Sequence, residues 1–260
     1  MDEHLRHTVE RLLASHQPAE LHQGLELIKK EISRVGSDEA STLFEMVSTI
    51  FYIDPLDRPD LAPLVNEAIA LVVGFGKWVI PRLLQQLDAS DLKAQIAIAN
   101  ALGRLGADAV SPLLHEYETA GESARRQFVL YALGKIKSPR VAPAVAAAIE
   151  AAGAQDRELR DTATRTLGKF AEVLPPGTLA EDTRRRMVDA LWKNLGAQSP
   201  AIRAKAVRSL GKLLKYGHLT TAERATLKRT LMLILGKGER FEWDRAYLVR
   251  KEAAEALAYL

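Results

Sequence analysis

The 260-residue chain has no cysteine. Disulfides and thiol chemistry are therefore excluded, and the absence fits a cytoplasmic address. It has no run of eighteen apolar residues, so no transmembrane helix is predicted. The N-terminal Met1-Asp-Glu-His-Leu-Arg-His lacks the apolar core of a secretory signal, and no leader is expected. Strand signals are scarce. Catalytic signatures are missing too. Gly74-Phe-Gly76-Lys77 and Gly236-Lys-Gly238 each follow an apolar helical run, so neither opens the strand–turn–helix unit of a phosphate loop. There is no Gly-x-Ser-x-Gly elbow and no His-Glu-x-x-His pair. No catalytic residue and no cofactor is assigned.

What the chain does have is a repeat. Val-x-Pro occurs at Val79-Ile80-Pro81, Val110-Ser111-Pro112 and Val141-Ala142-Pro143, with the prolines 31 residues apart. Self-similarity at such a period indicates an array of stacked units. The second half of each unit continues after the strict period decays, and its anchors are Leu102, Leu133, Leu167, Leu210 and Leu257. Four residues before the anchors stand Ile98, Val129, Ala163, Ala206 and Ala253. Three after stand Leu105, Ile136, Phe170, Leu213 and Leu260. Offsets of −7, −4, 0 and +3 share one face of an α-helix. Prolines 81, 112 and 143 suit the first turn of another helix, where a missing N–H costs nothing. Turn residues separate the halves, as in Thr119-Ala-Gly121-Glu and Ala152-Gly153-Ala-Gln-Asp156. Each unit reads as an antiparallel helix pair that must stack on neighbours to bury its apolar faces. The fold class predicted is all-α: an α-solenoid of stacked antiparallel helix pairs.

The segments Arg203-Ala-Lys-Ala206-Val-Arg-Ser-Leu210-Gly211-Lys-Leu213, Arg160 to Phe170 and Arg250 to Leu260 resemble the second helix of a HEAT repeat. The 31-residue units resemble the short bacterial subtype also found in phycobiliprotein bilin lyases. The resemblance covers roughly residues 74–260 and implies a HEAT-like superhelix. Residues 1–73 fit less well and read as divergent N-terminal repeats or a cap. There, Leu25-x-x-Ile28-x-x-x-Ile32-x-x-Val35-Gly36 keeps second-helix offsets, and 39–53 with 60–73 form another pair. One continuous solenoid domain, 74–260, follows.

The net charge of +3 conceals an asymmetry. Residues 1–120 hold 10 Lys+Arg against 18 Asp+Glu, whereas 121–260 hold 26 against 15. Such a field steers polyanions or acidic proteins to the basic end, and equally suits head-to-tail self-association. The resemblance implies that second helices line the concave surface. Offsets −5, −2 and +2 from the anchors then define a basic stripe of Arg104, Lys135, Arg165, Lys169, Lys205, Arg208 and Lys212, with Tyr131 and Phe128 near one end. The competing reading is a solvated face, because a cation in the last helical turn complements the helix dipole. A binding stripe should lack enough nearby carboxylates to neutralise it.

Other candidates are structural. Arg126, Arg160, Arg203 and Arg250, at offset −7, are expected to satisfy carbonyls or carboxylates such as Asp156 in the turns. His4 and His7 share a helical face but lack a completing carboxylate beyond Glu3 and Glu10, so surface histidines and no metal site are expected. Trp78 and Trp192 lie on apolar stripes and read as core. The loop 236–245, with Phe241 and Trp243, either caps the end of the core or forms a site.

The expected function is a non-enzymatic scaffold whose basic concave face holds an acidic protein partner. The alternatives are a nucleic-acid-binding protein, with a base-excision glycosylase as its enzymatic extreme, and a bilin lyase-like chaperone subunit suggested only by the repeat subtype. The glycosylase would want an acidic residue beside aromatics in the basic groove, and no such group stands out.

Overall fold

Helix formers punctuated by Pro and Gly turns dominate the chain, and helices are what it forms. The structure is a computed structural model that describes residues 3–32, 34, 37–87, 91–238 and 243–260. Among these residues there is no β-strand, and one isolated antiparallel bridge joins Leu235 to Trp243. The architecture is an α-solenoid of antiparallel helix pairs. No single described helix is long and apolar enough to cross a membrane. Two compact units are present, Met1–Pro112 and Leu113–Leu260.

The first unit contains α1 (Glu3–Leu13), α2 (Pro18–Ile32), α3 (Ser37–Ser48), α4 (Ala62–Gly74), α5 (Ile80–Gln86) and α6 (Leu92–Leu105). The second helices of its pairs, α2, α4 and α6, pack side by side. Pro81 lies in the first turn of α5, as its fixed φ favours. Asp91 caps α6 by accepting from the amides of Lys93 and Ala94. Trp78, expected in the core, is 38 % exposed. It sits at the edge of an aromatic cluster, with its ring edge-on to Phe44 and Phe75 at 6.3 and 5.7 Å. The apolar stripe it belongs to ends there, so one side of the indole meets solvent.

In the second unit lie α8 (Ser123–Leu133), α9 (Ala144–Ala151), α10 (Arg157–Val173), α11 (Glu181–Leu195), α12 (Pro200–Lys215), α13 (Thr221–Ile234) and α14 (Tyr247–Leu257), preceded by α7 (Val110–Thr119). The second helices α8, α10, α12 and α14 form one packed layer, with each neighbour in contact with the next. The anchors Leu133, Leu167 and Leu210 are fully buried, with Val129, Ala163 and Ala206 beside them. The last anchor, Leu257, is half-buried and Leu260 is exposed. Phe241 lies outside the described residues. Trp243, its expected companion as a cap, is 61 % exposed and carries the Arg250 guanidinium 4.6 Å from its ring centre.

The glycines after the anchors Leu167 and Leu210 have a packing reason. A Cβ on Gly168 would lie 2.9 Å from the Ser209 Cα, and one on Gly211 would lie 2.9 Å from the Ala256 Cβ. Successive second helices thus touch through a missing side chain. Hydroxyls fasten the same seam: Thr166 Oγ1 donates to the Leu130 carbonyl at 3.2 Å, and Ser209 Oγ to the Thr164 carbonyl at 2.9 Å.

The −7 column is structural. Gln95 Nε2 donates to the Leu87 carbonyl, Arg126 Nε to that of Ala120, Arg203 Nη1 to those of Ala197 and Gln198, and Arg250 Nη1 to those of Asp244 and Arg245. Each side chain ties the turn between the two helices of its pair. Asp156 is not an acceptor in this scheme. It accepts from the Leu159 amide at 2.8 Å as the N-cap of α10. Arg160 reaches instead to Asn194 of α11, whose Oδ1 accepts from Nε and Nη2 at 2.8 and 2.6 Å. Asn194, fully buried, donates in turn to the Ala152 carbonyl and to Thr164 Oγ1.

Candidate anion-binding pocket

Helical periodicity decides which cations meet. Arg165 and Lys169 are four apart on α10, and Lys205, Arg208 and Lys212 recur at three and four on α12. Because α10 and α12 pack side by side, these five side chains and Ser209 line one small pocket of about 90 Å³. All five belong to the stripe read from the sequence.

The pocket is not a bare set of charges. Lys205 is paired with Asp161, and Arg208 forms a bidentate pair with Glu252. Glu252 is only 2 % exposed, and that guanidinium is its ion-pair partner. Glu172 accepts from Lys212 at 2.5 Å and from Lys169 and Lys137 at 3.2 Å. Burial alone would raise the Glu172 carboxyl, but the three ammonium groups hold it down at about 2. Burial lowers Lys212 from the ordinary lysine range, Glu172 opposes this, and the nearby Lys169 adds to it. Among the described residues four of the five lining cations form ion pairs with three carboxylates, with Glu255 acting on Arg208 from further away, and Lys137 adds a sixth cation. Of the five lining cations, Arg165 has no carboxylate within 4 Å among the described residues, whereas Lys169, Lys205, Arg208 and Lys212 each have one.

The carboxylates were missed in the sequence. Lys205–Asp161 and Arg208–Glu252 are each 44 residues apart, close to the anchor spacings of 43 and 47 in this region. Partners one repeat away were therefore visible in the alignment of repeats, once second helices are known to lie side by side. The remaining stripe residues take other places. Tyr131 of α8 stands between Lys135 and Arg165, whose charges lie 4.8 and 5.9 Å from its ring centre. Neither cation has a carboxylate within 4 Å among the described residues. Phe128 of α8 is half-buried. Arg104, in the first unit, donates to the Asn66 side chain at 3.0 Å.

The pairing of layered second helices with a lined groove defines a helical-repeat protein. Residues 80–168 match the family model for HEAT repeats, about a third of the chain. The fold is shared with several solved structures. A chain from the complex of CpcE and CpcF of phycocyanin lyase from Nostoc sp. PCC7120 is 22% identical, with a TM-score of 0.54, over 69% of this chain and 98% of that one. A designed armadillo repeat protein in complex with the peptide (KR)4 is 16% identical, with a TM-score of 0.55, over 94% and 99%. An engineered protein is 18% identical, with a TM-score of 0.53, over 100% and 96%. No curated protein matches the sequence.

Proposed function

We propose that this chain is a non-enzymatic cytoplasmic binding protein whose basic second-helix face holds an acidic segment of a protein partner. The observation that carries the reading is the convergence of Arg165, Lys169, Lys205, Arg208 and Lys212 on one pocket with fewer carboxylates than cations. Tyr131, held between Lys135 and Arg165, extends the surface with an aromatic face. The designed armadillo protein supports peptide binding by a stack of this kind, with a cationic rather than an acidic peptide.

The test is fluorescence anisotropy with a labelled glutamate-rich peptide, a lysine-rich control, and single- and double-stranded DNA. The reading expects the acidic peptide to bind and the lysine-rich one not to. DNA that binds more tightly, with a loss of roughly a thousandfold between 50 and 200 mM salt, would instead establish the nucleic-acid alternative.

A second reading is a subunit of a two-protein lyase-like assembly. It is favoured by the shared fold with a chain of the CpcE–CpcF complex over 98% of that chain. It requires a second helical-repeat chain as partner. A monomer that binds the acidic peptide unaided, and recovers no such chain from its host, counts against it.

A further inference from the structure

The first unit holds a cluster that the anion pocket does not use. His22 and Glu26 stand one turn apart on α2, and Glu67 faces them from α4. His22 Nδ1 and Glu67 Oε2 are 3.0 Å apart. One ligand atom from each of the three side chains lies within 4.8 Å of the others. We propose that His22, Glu26 and Glu67 form a binding site for a divalent transition-metal ion of the zinc class.

The geometry and the donor set both point that way. Ligands about 2.1 Å from a four-coordinate zinc ion are about 3.4 Å from one another. The His22–Glu67 pair, at 3.0 Å, is already near that separation, and a Glu26 oxygen lies within 4.8 Å of both. The backbones are fixed by the core beneath: Leu21, Leu25 and Ile28 of α2 and Ala68 and Leu71 of α4 are buried. An imidazole nitrogen with two carboxylates favours zinc-like ions over magnesium or calcium, which take oxygen ligands. Three protein ligands leave a fourth position for water or an incoming donor. An open groove of about 330 Å³, lined in part by Glu67 and Lys29, lies beside it.

Lys29 is the resident competitor. Its Nζ is 2.7 Å from Glu26 Oε1, one helical turn on, and its side chain is 60 % exposed. It supplies one positive charge to two carboxylates and is free to swing into solvent when a dication arrives. His4 and His7 on α1, read from the sequence as surface histidines without a metal site, lie outside this cluster. His7 meets Glu3 and Glu10 of its own helix at 4.0 and 3.4 Å, and among the described residues no ligand from a second element joins them.

The test is titration of the full chain, stripped by chelator, with Zn²⁺ by calorimetry and with Co²⁺ by its visible absorption bands. One ion per chain is expected, with a Zn²⁺-dependent rise in unfolding temperature. His22→Ala and the isosteric Glu67→Gln should each weaken binding at least about tenfold and remove that rise. Lys29→Met should tighten binding, and His7→Ala should leave it unchanged. Circular dichroism before metal addition shows that each variant is folded, as the exposure of His22 and Lys29 leads one to expect. Binding that survives both His22→Ala and Glu67→Gln, or that is lost in His7→Ala, overturns the proposal. So does wild-type protein that binds neither ion at 100 µM.

Discussion

Asn194→Ala removes the polar centre that braces α10 against α11. Asn194 makes four hydrogen bonds: two accepted from Arg160 and one donated to each of Ala152 and Thr164. Asn194 itself is fully buried and Arg160 is half-buried, so water replaces these bonds only in part. Leaving the guanidinium without its acceptor costs about 2–3 kcal/mol, and an unpaired Ala152 carbonyl adds about 1 kcal/mol. A loss of about 3–4 kcal/mol is therefore expected. Urea unfolding followed by tryptophan fluorescence measures it, with Trp192 two residues away as a local reporter. Much of the cost is the stranded charge, so Arg160→Met in the same chain should restore part of it, with a coupling of at least about 1.5 kcal/mol. The consequence reaches the pocket, because the Thr164 that Asn194 holds also accepts the Ser209 hydroxyl on α12 through its carbonyl. A loss below about 1 kcal/mol, or additive single variants, would refute this account of how the layers are held.

Other outcomes follow from the same packing and charge. Gly168→Ala should cost about 1–3 kcal/mol, since its Cβ would press on the Ser209 backbone, whereas Gly74→Ala has open space and should be neutral or stabilising in thermal unfolding. The Glu172 carboxyl is depressed to about 2, so its contribution is present above pH 4.5 and disappears as the pH falls towards 2. That contribution is on the order of 1–2 kcal/mol after solvent screening. The stability gap between wild type and Glu172→Gln should close over this interval, and a constant gap would contradict the assignment. Arg208→Ala should cost about 1–2 kcal/mol by removing the partner of the buried Glu252, discounted because the Arg208 side chain is nearly half exposed, and Glu252→Gln in the same chain should recover part of it in chemical denaturation.

Much of this was legible in the sequence because helical periodicity is local. The columns at −4 and 0 locate Ala163, Leu167, Ala206 and Leu210 in the core, and the column at −7 locates the side chains that tie the turns. The five pocket cations were legible for the same reason, since one helix face fixes their direction. What stayed hidden depends on contacts between elements. Asp161, Glu172 and Glu252 come into play only when neighbouring repeats lie side by side. The approach of Glu67 to His22 across 45 residues has no periodic signature. Asn194, a polar residue in an apolar helix face, carried a local anomaly that burial alone explains. Trp78 shows the limit of periodicity at a boundary, where a stripe fixes a direction but not how far the cover extends.

Arg165 and Lys135 offer the cleanest access to the central claim, because changing them strands no buried carboxylate. Calorimetric titration of a glutamate-rich peptide into wild type and into Arg165→Glu/Lys135→Glu at 50 mM salt is the direct measurement. If the basic second-helix face is the binding surface, the double variant keeps its thermal unfolding temperature and binds at least about tenfold more weakly. Equal binding by the two folded proteins would contradict it.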